Sequence, residues 1–481
     1  MRVWMLSFEF AGIASLGGLG EAVRGRALAL ARRGHEVTVL MPSHGRCWGR
    51  GELPFRSCGA RRGIWGEERH YCVSACETVE SGVRVVMFRG EGDGEVLSRE
   101  PIYGWVEEKA SLFARAAKAY FNQSPWPELV EAHDWHSVLA GVAIKQEAER
   151  RNYALPLQYT VHLSGSPSFP WHYASADWSG LEDFPHKVWR PGGHRWTSYR
   201  EVWDRVGGNV EAFGVEEADL VATVSWSYLR EELVRRHGNV GEKSCVSYNV
   251  VELPQVKSRG SWWEIARGLG GVGELWEGGV PMFTLGRMVW QKGLDVAIRA
   301  LDHAPSVRLL VSGLPVGDRH YEEYLQRLVE ERRGRVKLVG KLDPELKLSL
   351  MALSAATIVP SRSEPFGIVA VESLSAGTPV IASAVGGLKE IAPDISVGGP
   401  GLLVRPEDPY ELGLAMESIA AVMSGRSHEA PLPRVRGVGE EELRRRSRER
   451  ARAFSEESVH EMMLDCYYKC RTMAYYRAIT P

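Results

Sequence analysis

The densest chemical signal in the chain is a pair of carboxylates with a tight loop between them. In SRSEPFGIVAVESLSAGTPVIAS, Glu364 and Glu372 are separated by seven residues, across a short loop and the start of a helix. This spacing puts Glu364 on the loop at the end of a strand. It puts Glu372 about two turns into the helix, on a face that can reach a ribose diol. The amides of Phe366, Gly367 and Ile368 open the helix, where N–H groups without an internal partner can donate to sugar hydroxyls. Paired carboxylates also serve glycoside hydrolysis, with one on each side of the scissile bond. Two groups carried on one element, with a helix between them, are poorly arranged for that.

A second segment, LGRMVWQKGLD, supplies positive charge. Arg287 follows a strand, and Lys292 stands five residues on, just before a helical run from Leu294. Cations at the carboxyl end of a parallel strand lie where open α/β sheets bind ligands. An Arg forks onto two phosphate oxygens and a Lys adds a compact charge. Near the N-terminus, SLGGLGEAV (Ser15–Val23) places glycines before a helix, so that backbone amides can approach an anion. Two further strand ends carry histidines: EAHDWHS with His133, Asp134 and His136, and YTVHLS with His162. No His-Glu-x-x-His pattern and no Asp-x-Asp pair accompanies them, so the sequence predicts no metal site.

These residues need a scaffold that brings strand ends together, and the rest of the chain supplies its pattern. Short apolar runs alternate with helical stretches, as expected for parallel sheets covered on both faces. The first series comprises Val3–Phe10, Glu36–Pro42, Arg84–Phe88, Leu129–His133, Leu157–His162, Leu220–Val224 and Cys245–Asn249. The rhythm restarts with Met282–Gly286, Val307–Ser312, Val336–Val339, Ala356–Pro360, Val380–Ala382 and Leu402–Val404. Between the two series lies Val256–Val280, with a Gly-rich stretch that reads as a linker and a small helix. The predicted domains are therefore residues 1–255 and 256–455, with a C-terminal helix at 456–481 returning to the first. At 481 residues, two domains are the natural expectation. Trp171–Arg195 is non-periodic and reads as a loop at the edge of a cleft.

Composition excludes several classes. A net charge of -2 argues against a nucleic-acid partner. No apolar stretch is long enough for a membrane span, and MRVWMLSFEF, broken by Glu9, lacks a signal-peptide layout. A cytoplasmic protein is expected. The seven cysteines read mainly as small buried hydrophobes. Cys72 with Cys76 and Cys466 with Cys470 are four apart, a spacing that would share one helix face, and a disulfide is the other reading. Arg444–Arg452 reads as a solvated charged face, with a membrane-surface patch as the lesser reading.

Taken together, the motifs resemble the GT-B glycosyltransferases and, among these, the prokaryotic glycogen and starch synthases. The matching pieces are GGLGE (Gly17–Glu21), HEVTVLMPSHGR, HDWH (His133–His136), TVH (Thr160–His162), ATVS (Ala222–Ser225), GR…QKG (Gly286–Gly293), SRSEPFG…E (Ser361–Glu372) and SAVGGLKE (Ser383–Glu390). The resemblance implies two facing Rossmann-like domains with a deep cleft between them. It implies a retaining transfer of glucose from ADP-glucose or UDP-glucose to the non-reducing end of an α-1,4-glucan, with no cofactor or metal. Arg287 and Lys292 would bind the donor diphosphate, helped by the backbone of Gly18. Glu364 and the amides of Phe366, Gly367 and Ile368 would hold the glucose, and Glu372 the ribose. His162 would contact the glucose near its anomeric centre, and Asp134 and Asn249 would lie on the acceptor side. Catalysis would fall to His162, Glu364, Arg287 and Lys292.

Two departures stand out. Ser15 occupies a position where these synthases usually carry Lys, and Asn249-Val250-Val251-Glu252 replaces their usual Asn-Gly-(Ile/Val)-Asp. The alternatives are a GT-B transferase of another acceptor (a small sugar, a sugar phosphate or a lipid-linked glycan) and a catalytically silent protein that binds nucleotide sugars.

Overall fold

The computed structural model describes residues 1–63, 65–238, 240–251, 264 and 270–480. Glu252 and the predicted boundary near Val256 lie outside them, while the small helix expected in the Gly-rich stretch is present at Val272–Glu277. The chain divides into two compact units. The first comprises Met1–Val224, Leu229–Val250 and Val459–Pro481, and the second Ser225–Tyr228 and Val251–Ser458.

In the first unit the strands are β1 (Arg2–Leu6), β2 (Glu36–Pro42), β3 (Gly51–Arg62), β4 (Glu68–Glu80), β5 (Val83–Gly92), β6 (Leu129–His133), β7 (Leu157–Val161), β8 (Pro185–Arg190), β9 (Gly193–Ser198), β10 (Leu220–Thr223) and β11 (Ser244–Val246). Nine of them form one sheet, in the order β11-β10-β7-β6-β1-β2-β5-β4-β3. It is parallel from β11 to β5 and antiparallel where β3 and β4 are added. The central strands β6 and β7 are buried at every residue, as a sheet covered on both faces requires.

The β3–β4 pair escaped the apolar pattern because its burial alternates along the strands. Half-buried strands of this kind carry polar residues on one face. Part of the segment read as a cleft-edge loop is ordered as well. It holds a one-turn helix, Trp171–Ala174, and most of a two-stranded hairpin, β8 with β9.

The second unit contains β12 (Val280–Arg287), β13 (Val307–Leu314), β14 (Val336–Val339), β15 (Ala356–Val359), β16 (Val380–Ser383) and β17 (Gly401–Val404). They form a wholly parallel sheet, in the order β14-β13-β12-β15-β16-β17. Where strands run parallel their carboxyl ends emerge along one edge, and the predicted chemical residues lie at or just beyond the ends of β6, β7, β12 and β15.

The cysteine reading is corrected. Cys72 and Cys76 lie on strand β4, not on a helix, and each pairs elsewhere: Cys58 with Cys72, and Cys47 with Cys76. Cys466 pairs with Cys245 and not with Cys470, which is free and buried. The helix Glu456–Ile479 packs one face, through Val459, Met463, Cys466, Tyr467, Cys470 and Ala474. The buried residues run along the length of the helix, while Tyr468, Tyr475 and Tyr476 are exposed.

The Cys245–Cys466 bridge ties this helix to β11 across 221 residues of chain, and closing so long a loop contributes about 2–4 kcal/mol. A Cys245→Ala/Cys466→Ala variant is therefore expected to melt several degrees lower. An unchanged melting temperature would show that packing alone holds the helix.

Candidate functional site

The loops of the second unit that bear Lys292 and Glu364 are cross-braced. Arg287 ends β12, and Trp290–Lys292 forms a single helical turn. Lys292 Nζ donates to Glu364 Oε2 at 2.6 Å, and the Ser361 hydroxyl donates to the same oxygen at 3.1 Å. Between the loops, the Arg362 amide donates to Gln291 O at 2.8 Å, and Gln291 Nε2 donates to Ser363 O at 3.1 Å.

Arg362 is the hub of this brace. Its guanidinium donates to Trp290 O at 2.6 Å, forks onto Asp295 at 3.0 and 2.9 Å, reaches Glu407 at 2.7 Å and lies 3.4 Å from the Trp290 ring centroid. Burial pushes the Asp295 carboxyl up, but the hydrogen bonds from Arg362 and Tyr321 outweigh it and bring it below its ordinary value. Arg287 makes no ion pair with a described residue, so its charge is available to a ligand.

Two glycines permit the close backbone approaches in this region. Gly293 has φ +64 and would place a Cβ 2.1 Å from Pro360 O, and Gly386 has φ +44 and would place one 2.1 Å from Glu364 O. A side chain at either would push the Glu364 loop out of position. After the loop, Phe366 is buried against Phe454, at 5.7 Å between ring centroids. Gly367 then leads into the helix Ile368–Ser375, whose positive end faces the turn. Glu372 lies on this helix, with its carboxylate 2.5 Å from Lys347 Nζ.

Gly18, Asp134, His162 and Asn249 belong to the first unit. Gly18 begins the helix Gly18–Arg32. The loop before it is shaped by Glu9, a buried carboxylate that accepts from the Ser15 hydroxyl (3.1 Å), the amides of Leu16 (2.9 Å) and Gly17 (3.2 Å), and the Tyr103 hydroxyl. Glu9 was visible in the sequence only as a charge interrupting an apolar run, and its role was missed.

Asp134 follows β6 with φ +55, a conformation unusual for a residue with a side chain. Its Oδ1 accepts the amides of His162 (2.7 Å) and Leu163 (3.2 Å). Asp134 therefore positions the His162 loop directly. Burial raises its carboxyl to about 7 even against those two amides. Glu211 holds the next residues of this loop, through the Ser164 hydroxyl (2.5 Å) and the Gly165 amide (2.7 Å). Asn249 is buried, and its side-chain oxygen has no hydrogen-bond partner among the described residues. Among the described residues no group of His, Cys, Asp or Glu has the arrangement of a metal site.

Residues 2–246 match the starch synthase catalytic domain family, and residues 277–426 match the glycosyl transferases group 1 family. A glycogen synthase of Thermus thermophilus is 30% identical, over 92% of this chain and 100% of its own. This chain belongs to the starch and glycogen synthase family. The family relationship makes it a glycosyltransferase. A glycogen synthase of Mycobacterium tuberculosis is 27% identical over 87% of this chain and 86% of its own.

Among solved structures, the catalytic domain of starch synthase IV from Arabidopsis thaliana, bound to ADP and acarbose, matches with a TM-score of 0.73 at 19% identity, over 98% of this chain and 99% of that one. A sucrose-phosphate synthase from Thermosynechococcus elongatus matches with a TM-score of 0.65 at 22% identity, over 97% and 98%. The fold is GT-B, with two Rossmann-like domains. No helix among the described residues is long and apolar enough to cross a membrane.

Two predictions come from this geometry. Arg362→Lys keeps the charge but loses the fork, and the loosened brace should lower kcat by roughly 10–100-fold with little change in melting temperature. Wild-type kinetics would show that the brace is dispensable. For Asp134, the folded protein holds a proton that the unfolded chain has released between pH 3.8 and about 7. Stability should therefore fall as pH rises through that window, by about 4 kcal/mol at most. Asp134→Asn keeps the acceptor and should flatten this part of the profile in thermal melts. A slope identical to wild type would refute the raised pKa.

Proposed function

We propose that this glycosyltransferase moves glucose from a nucleotide-diphosphate glucose, ADP-glucose or UDP-glucose, to the non-reducing end of an α-1,4-glucan, with retention at the anomeric carbon. The observation that carries the reading is the Lys292–Glu364 pair, braced through Arg362, with Arg287 unpaired among the described residues and a helix N-terminus following. Such a site offers positive charge to a diphosphate and a carboxylate with amides to a sugar. A protonated Lys has three donors, so Lys292 can keep Glu364 while meeting a phosphate oxygen.

In this reading Arg287 and Lys292 stabilise the negative charge that grows on the departing diphosphate. The bond from the anomeric carbon to phosphate oxygen breaks. The acceptor hydroxyl oxygen bonds to that carbon on the same face, and its proton passes to the leaving phosphate oxygen. No protein nucleophile is needed. We place Glu372 at the ribose, and His162 and Asp134 beside the sugars. We place the enzyme in the cytoplasm, and three disulfides are compatible with that in a hyperthermophile.

A lipid-linked acceptor draws no support from Arg444–Arg452. Arg445 pairs with Glu442 and Glu449, Arg446 with Glu442 and Arg444 with Glu440, while Arg450 donates to backbone carbonyls. Carboxylates of the same helix thus match Arg444, Arg445 and Arg446, which lowers the positive charge this face offers a membrane.

The test is release of ADP or UDP from each nucleotide-glucose, with and without glycogen, with label followed into polymer and EDTA present in a parallel set. Glucan-dependent release, labelled polymer and indifference to EDTA are expected. Lys292→Ala should lower kcat by at least about 100-fold without unfolding the chain. Near-normal turnover in that variant, or release without incorporation, would overturn the assignment.

A further inference from the structure

Glu131 is fully buried in the middle of β6 and carries four hydrogen bonds. Its Oε1 accepts from Arg26 (2.9 Å), Gln158 (3.1 Å) and Thr160 (2.6 Å), and its Oε2 accepts from the Tyr467 hydroxyl (2.5 Å). Two residues on, along the same strand face, His133 turns its Nε2 toward Glu131 Oε2 at 3.8 Å. On the other side of the ring, His133 Nδ1 lies 3.0 Å from His162 Nε2. His162 Nδ1 is buried and has no hydrogen-bond partner among the described residues. A line of polar groups thus runs from the C-terminal helix, through the sheet, to the histidine placed beside the sugar.

The proton positions along this line follow from charge. Burial alone would raise the Glu131 carboxyl. The charge of Arg26, together with His133 and the Thr160 and Tyr467 hydrogen bonds, reverses this and holds it at about 2, so it is an anion. Burial takes His133 down to about 4 against the pull of Glu131, and takes His162 well below its ordinary value, so both rings are neutral near pH 7.

A neutral His133 has one N–H. If it sat on Nδ1, the lone pair of Nε2 would face the carboxylate across 3.8 Å in a site without water screening, which is repulsive. With the proton on Nε2 the same contact is attractive. His133 Nδ1 must then accept, His162 must donate through Nε2–H, and His162 Nδ1 is left as a bare lone pair.

We propose that Tyr467, Glu131 and His133 are positioning residues that hold His162 as the Nε2–H imidazole, so that its Nδ1 lone pair accepts a hydrogen bond from a hydroxyl of the bound sugar. This rests on the reading of His162 as a sugar-facing residue. His162 then discriminates for a hydroxyl and does not act as an acid. A site built to accept from a substrate hydroxyl rejects the analogue that lacks it, because the buried acceptor is left unpaired.

The experiment is long-range ¹H–¹⁵N correlation of the full chain labelled at histidine, at pH 7 and without donor, with His162 assigned by comparison with His162→Gln. The expected spectrum shows His162 neutral, with the proton on Nε2. Glu131→Gln should mix the two tautomers of His162 and raise KM for the nucleotide sugar about tenfold, with kcat changed much less. A merely structural role would not produce that split.

A wild-type His162 protonated on Nδ1, or an unchanged tautomer in Glu131→Gln, would overturn the proposal. If Glu131→Gln fails to fold, the wild-type spectrum and Tyr467→Phe decide it, the latter by the same shift in smaller degree. The spectrum is read without catalysis, so an absence of glucosyl transfer would overturn the assigned function alone.

Discussion

A carboxylate taken out of water must be met by donors, and this chain uses that demand to shape its loops. Glu9 gathers the amides of Leu16 and Gly17, Asp134 those of His162 and Leu163, and Glu211 the Gly165 amide and Ser164 hydroxyl. In the second unit Asp295 anchors Arg362. Each loop follows a strand end, where chain direction is fixed by the sheet but the backbone beyond is not. An unsatisfied buried carboxylate costs several kcal/mol, so the loop conformation that satisfies it is strongly preferred. The residues set beside a ligand are held indirectly, by carboxylates that need not touch it.

The two units apply this device differently. In the second, the key contacts are between side chains of opposite charge, and Arg362 links Trp290, Asp295 and Glu407 at once. Arg suits the task because its planar fork can satisfy several acceptors without losing charge. In the first unit Glu9 and Asp134 instead bind backbone N–H groups and hydroxyls, and burial keeps the nearby His162 ring neutral. The cationic groups assigned to the diphosphate and the neutral imidazole assigned to the sugar are thus built from different materials. A diphosphate calls for charge, and a hydroxyl calls for a fixed lone pair.

The positions of the candidate residues at strand ends were legible in the sequence, because fully buried parallel strands announce themselves as apolar runs. β6, β12 and β15 carried Asp134, Arg287 and Glu364 with them. The β3–β4 hairpin was not legible, since a half-buried strand alternates and its Gly, Arg and Cys residues blurred the pattern further. The cysteine pairs failed for another reason. Spacing of four was weighed for a helix, but Cys72 and Cys76 share a strand face, and their partners Cys58 and Cys47 come from elsewhere in the chain. Glu9, Glu211, Arg362 and the Glu131–His133 line were missed because their partners are distant in sequence or are backbone amides, which leave no trace in residue type.

Ser15 illustrates how scaffold and chemistry separate. The position usually holds Lys in this family, and its replacement raised the prospect of a silent protein. In the structure the Ser15 hydroxyl donates to Glu9 and to Gly17 O, and so supports the loop from within. Glu9 would keep the amides of Leu16 and Gly17 and the Tyr103 hydroxyl without it, so the loop conformation does not depend on the residue at position 15. What the exchange removes is a point charge, and in the proposed function the diphosphate is met by Arg287 and Lys292. The glycine-rich turn into the helix Gly18–Arg32 remains in place. The departure therefore changes the charge at one position and leaves the hydrogen-bonded construction of this loop intact.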